Sequence, residues 1–184
     1  MRIRITNLIE IQEEVNKKVR EKLDRDIQSD DFMLAFNVEL FEFFNAIGTW
    51  KWWKHSHNLD KEKILDELAD CFAFFLSIVI VENNASILRD EGEIIEAVER
   101  DLNDIFRNLE SNMEENDISD ATIINDLMLY VGTDNEVQGV LTVERFAIAI
   151  FIISLLFKDL EWKDLVDAYK KKSSVNIKRQ EEDY

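Results

Sequence analysis

Apolar residues recur along this chain at helical spacing. Leu8, Ile11, Val15, Val19 and Leu23 fall on one face with charges between them, predicting an amphipathic helix over about 5–26. Residues 31–47 are apolar on nearly every side, which predicts a central helix capped by Ser29, Asp30 or Asp31 and stopped by Gly48. Asp60 can cap a third helix over about 60–82, which ends in the buried run CFAFFLSIVIV. Ile94, Ile95, Val98, Leu102, Ile105, Phe106 and Leu109 set a fourth over about 87–110. A shorter helix is predicted over 119–130, then a loop marked by Gly132 and Gly139. Thr142 caps an apolar helix over 143–157, and a last helix covers 160–171 before a polar tail. No alternating strand pattern, repeat or linker interrupts this series, so the predicted class is an all-α helical bundle in a single domain over residues 1–184.

Composition sharpens this picture. Four glycines and no proline are a poor supply of turn formers for a β fold. The 46% of hydrophobic residues is enough for a real core. With 22 basic against 39 acidic side chains the net charge is −17, which repels nucleic-acid backbones and predicts no nucleic-acid partner. The single Cys71 excludes an intramolecular disulfide and a thiolate zinc cluster, and a reducing cytoplasm is the expected compartment. The apolar runs Cys71–Val81 and Phe146–Phe157 fall short of the roughly 18 residues of a membrane span, so no membrane association is expected.

Within VELFEFFNAIGTWKWWK, Glu39 and Glu42 sit among aromatic and aliphatic residues, and no basic residue lies between Met33 and Trp50. An ionised carboxylate is costly to bury without a partner. Residues three apart share a helix face, so Glu39 and Glu42 project together, as do Glu67 and Asp70 in DELAD. Asp66 lies about 100° round the helix from Glu67 and is expected at the solvent edge or behind the metal ligands. A lone E-x-x-E pair is usually a solvated face. Two pairs on two apolar helices joined by a short connection predict four convergent carboxylates, whose repulsion a hard cation relieves. Mg²⁺, with Mn²⁺ as substitute, suits an all-oxygen set. A di-iron bundle would need helical histidines, and His55 and His57 both lie in the connection.

Two stretches that carry positive charge and no acid are conspicuous in so acidic a chain. One is FFNAIGTWKWWKHSHNL, at 43–59, and the other is AYKKKSSVNIKRQ, at 168–180. Lysines at a helix C-terminus followed by a frayed tail would account for Lys170–Lys172. A tail over 172–184 that closes on the metal site would instead use Lys, Asn and Arg groups to grip phosphate oxygens. The tryptophans suit either core packing or an aromatic wall for a base.

Taken together, these residues resemble the all-α NTP pyrophosphatase superfamily, and within it the dimeric all-α dUTPases of phages, some bacteria and trypanosomatids. VELFEFFN resembles the first acidic motif and LDELADCFAF the second. AYKKKSSVNIKRQ is similar to the C-terminal phosphate motif, and LIEIQEEVN to the N-terminal motif that contributes to base recognition. The resemblance runs from residue 8 to 180, and the phage and Gram-positive branch is the nearest. It implies Mg²⁺-dependent conversion of dUTP, and dUDP as well, to dUMP by a homodimer. It further implies metal ligation by Glu39, Glu42, Glu67 and Asp70, with Glu39 or Glu42 taking the water proton. Substrate contacts would come from Gln12, Asn16, Trp53, Lys54, Lys172, Asn176 and Arg179. One departure is Ser173, where the motif usually carries Asn after the lysine. Residues 111–141 match no motif. The alternatives are a same-fold enzyme for another nucleotide such as dCTP, and a non-catalytic helical phage protein that binds a protein partner. A regulatory protein partner is also compatible with the enzyme.

Overall fold

The computed structural model describes residues 1–85, 93–113, 120–133 and 138–182. A 3₁₀ turn at Thr6–Leu8 leads into α1 (Ile9–Arg20), followed by α2 (Ser29–Ile47), α3 (Lys61–Ala85), α4 (Glu93–Met113), α5 (Asp120–Thr133), α6 (Gln138–Leu156) and α7 (Trp162–Glu181). Among the described residues there is no strand. No described helix is long and apolar enough to cross a membrane.

The helix ends follow local chemistry. Gln28 and Asp31 form a capping box at the start of α2, one residue before the expected serine, and Arg25 clamps Asp31 through two hydrogen bonds. Gly48 ends α2 with φ of 70°, a conformation that side chains with a Cβ resist. The Asp60 carboxylate accepts from the Lys63 N–H at 3.1 Å, as expected of a cap.

Four boundaries differ from the sequence reading. The first helix stops at Arg20, and Leu23 is exposed beyond it. Gly132 and Gly139 lie inside α5 and α6, and the connection between these helices falls outside the described residues. Thr142 does not cap α6; it lies one turn inside and is buried, with its hydroxyl on the Met33 sulfur. The last helix does not give way to a tail at 172, because α7 runs on through Glu181.

The core is centred on α3 and α6. Phe146 stacks on both Phe72 and Phe75, with ring centroids 5.0 and 4.4 Å apart. Tyr169 of α7 packs on the other side of Phe72 at 5.0 Å. The most extensive helix pair is α2 with α3, and α7 lies across α3 and α1. These three contacts bring α1, α2, α3 and α7 together at one site. The expectation that α2 is covered on every side is not met. Leu34, Val38 and Phe41 follow its outer face and stay exposed.

Candidate active site

Helices α2 and α3 gather the acids. Glu39, Glu67 and Asp70 each present a carboxylate oxygen, and these atoms lie within 4.8 Å of one another. Glu42 is more exposed and stands just outside this group, close enough for its charge to act on all three. The spacing within each helix and the packing of α2 on α3 together produce the cluster.

Its electrostatics are strained. Burial, reinforced by the charges of Asp70, Glu42 and Glu67, pushes the Glu39 carboxyl up to about 7 from an ordinary 4.5. Burial is also the leading cause that raises Glu67 and Asp70. One cation reaches in from α7. The Lys172 Nζ lies 2.7 Å from Asp70 Oδ2 and 2.6 Å from Asp66 Oδ2. Burial pulls this ammonium down, and hydrogen bonds and charge from Asp66 and Asp70 more than reverse it. Both partners of the Lys172–Asp70 pair therefore hold their protons more firmly than usual. A single ammonium cannot offset the whole group of acids, so burial still governs Asp70. Asp66 shares Lys172 with Asp70, so it stands behind the cluster rather than in it.

A cavity of about 410 Å³ opens beside the acids, and Glu39 and Asp70 stand on its wall. Lys172, Asn176, Arg179 and Gln180 line it from α7. Their spacing of four, three and one puts them on one helical face. Ser173 points elsewhere: it is buried and donates to the Tyr169 carbonyl at 2.9 Å, which explains how serine serves at that position. Phe32, Ile27 and Phe74 give the cavity an apolar side.

Gln12 and Asn16 of α1, both buried, line the cavity as well. Gln12 Nε2 donates to Asn16 Oδ1 at 2.9 Å and to Ser77 Oγ at 3.1 Å. Tyr169 Oη donates to Gln12 Oε1 at 3.0 Å. Burial pushes this phenol up to about 12, so it keeps its proton. Ser77 and Tyr169 are site neighbours that motif reading missed. The only polar residue within CFAFFLSIVIV was the available signal for Ser77.

Of the residues expected to contact substrate, Gln12, Asn16, Lys172, Asn176 and Arg179 meet at this cavity. Trp53 and Lys54 do not line it. Both are exposed in the turn that follows α2, where Trp53 packs edge-on against Trp50 and Trp52.

Fold and site define a class: an all-helical protein with clustered carboxylates at the edge of a cavity that lysine, arginine and amide side chains also line. A family model described as dUTPase matches residues 4–184, and the chain belongs to the dUTPase family. Its reaction is the hydrolysis of dUTP to dUMP and pyrophosphate. Comparison with curated proteins gives no match.

Proposed function

We propose that dUTP, and dUDP as well, is hydrolysed in the cavity between α1, α2, α3 and α7, with Mg²⁺ held by Glu39, Glu42, Glu67 and Asp70. The carrying observation is the convergence of three carboxylates within 4.8 Å, with one lysine to offset them. The donor set is all oxygen, which fits a hard cation, and Mn²⁺ can substitute. When bound, Mg²⁺ supplies positive charge to the phosphate chain and acidifies a water.

The chain's own groups do the rest. Glu39 is the better placed of the first pair to take a proton from the attacking water, since it lines the cavity and Glu42 does not. Lys172 and Arg179 neutralise phosphate oxygens, and Asn176 orients the substrate. Gln12 and Asn16 face the base. The exposed apolar face of α2 supports a homodimer, in which Trp53 and Lys54 serve the partner's cavity. The motif resemblance and the lone Cys71 support a phage-type enzyme that works in the cytoplasm.

The test is turnover of dUTP, dUDP and dCTP with Mg²⁺, Mn²⁺ or EDTA, read by ion-exchange chromatography. Mg²⁺-dependent release of dUMP from dUTP and dUDP is expected. Glu42→Gln and Asp70→Asn should remove it, each by roughly 100-fold or more. Near wild-type turnover in either variant, or in EDTA, would overturn the metal assignment.

A further inference from the structure

The base-facing wall contains a polarity that the reaction itself does not require. Gln12 has two N–H groups, and both are used inside the protein, on Asn16 Oδ1 and Ser77 Oγ. Its oxygen accepts from Tyr169. Gln12 therefore has no donor left for a base. Asn16 is the opposite case. Its oxygen accepts from Gln12 and lies 3.0 Å from Ser77 Oγ, while its Nδ2 is buried with no hydrogen-bond partner. The residue is 4% exposed and lines the cavity. A buried donor left unpaired is costly, and a ligand that supplies an acceptor there relieves that cost.

The orientation of that amide is fixed by a chain of one-way hydrogen bonds. The Ser77 hydroxyl donates to the Ala73 carbonyl at 2.9 Å, a group that can only accept. Its one proton goes to that side, so a lone pair must meet Gln12. Gln12 then has to present nitrogen to Ser77 and oxygen to Tyr169, which must donate. If the Asn16 amide turned over, its NH₂ would meet the NH₂ of Gln12. The network thus disfavours the flipped state and leaves the Asn16 nitrogen as the amide atom unused within the protein.

We infer that Ser77 and Tyr169 are specificity-positioning residues: acting through Gln12, they hold the Asn16 amide with its nitrogen toward the base, where it donates to uracil's 4-oxygen and opposes cytosine's 4-amino group. The inference rests on the reading that the base enters the Gln12–Asn16 end of the cavity. It makes a divided prediction, because thymine carries the same 4-oxygen. The lock separates uracil from cytosine and contributes nothing against thymine's methyl group.

The experiment measures kcat/KM for dUTP, dCTP and dTTP in Tyr169→Phe, Ser77→Ala, Asn16→Ala and Asn16→Asp, with thermal midpoints as a check on folding. Where turnover is lost, calorimetric binding of dUMP, dCMP and dTMP reads the same ratios. Tyr169→Phe keeps the ring and removes the donor that holds Gln12 Oε1. Ser77→Ala removes the group that dictates Gln12's polarity. Each should lower the dUTP to dCTP ratio by roughly tenfold or more and leave the dUTP to dTTP ratio unmoved. Asn16→Asp presents an acceptor to the cavity and should shift preference toward dCTP. If both ratios fall together, or neither moves, in Tyr169→Phe and Ser77→Ala while Asn16→Ala lowers the dCTP discrimination, the lock is wrong and the base placement stands. If neither Asn16 variant changes the dUTP to dCTP ratio, the base does not sit there, and the site reading fails with it.

Discussion

Glu39 concentrates the chemistry of this site at the scale of one residue. Between about pH 4.5 and 7 the folded, metal-free protein keeps a proton on this carboxyl that the unfolded chain has already lost. The native state then binds more protons than the unfolded one, so stability falls as pH rises through that window and is fully present below it. Glu67 and Asp70 shift in the same direction. Urea midpoints in EDTA should therefore decline across this range, and Mg²⁺ should flatten the decline. A flat profile in EDTA would show that the acids do not strain one another. Glu39→Gln removes one charge from the cluster. It should raise metal-free stability near pH 7, reduce the stabilisation conferred by Mg²⁺, and lower turnover by roughly 100-fold or more. A variant less stable than wild type in EDTA would contradict the electrostatic account.

The same residues show how local chemistry becomes architecture at the scale of the helix. The two acidic pairs were legible because they interrupt strongly apolar helices, and a charge in such a setting demands an explanation. The second half of α7 was not legible as a helix. Residues 170–180 carry almost no apolar periodicity, and a polar segment with three lysines in a row reads as a tail. The helical signal was there in another form, since Lys172, Asn176, Arg179 and Gln180 recur at the spacing of one face. What they face is a cavity rather than a core, so the pattern is polar. The α6 start was missed for the converse reason: Gly139 and Thr142 are turn and cap formers by propensity, and packing overrides them. A proline tests whether α7 acts as a helix past Tyr169. Ser174 is exposed and one turn beyond Lys170. Ser174→Pro should cost the distal turns about 3 kcal/mol of helix stability, and so release Asn176 and Arg179 from the cavity. The expected outcome is lower helicity by circular dichroism and a raised KM for dUTP, with the thermal midpoint of the bundle little changed. An unaltered KM would mean that the distal turns take no part in binding.

The whole molecule carries a second pattern that one chain leaves unresolved. Leu34, Val38 and Phe41 of α2, Leu129 and Tyr130 of α5, and Trp50, Trp52 and Trp53 are all exposed, in a protein whose surface is otherwise strongly acidic. Phe41, Phe44, Trp50, Met128 and Leu129 line one apolar groove there. Exposed apolar surface of this kind marks an interaction site. It also lies on the helix that carries Glu39 and Glu42. The apolar character of α2 on every side, which suggested a central helix, is explained if a second copy supplies the missing cover. Phe41→Glu should then yield a folded monomer by analytical ultracentrifugation. Whether the partner completes the site is decided by mixing. Lys54→Ala and Arg179→Ala are each expected to impair turnover in their own homodimers. If Lys54 serves the partner's cavity, a mixed dimer of the two variants contains one cavity with Arg179 from its own chain and Lys54 from the other. Random reassociation of equal amounts makes half the dimers mixed, each with one intact site of two, so activity should recover to roughly a quarter of wild type. If Lys54 serves its own chain's cavity, every site in the mixture lacks one of the two groups and nothing recovers. The recovery separates a site shared between subunits from one complete within a chain, and it does so without depending on the stability of a monomer.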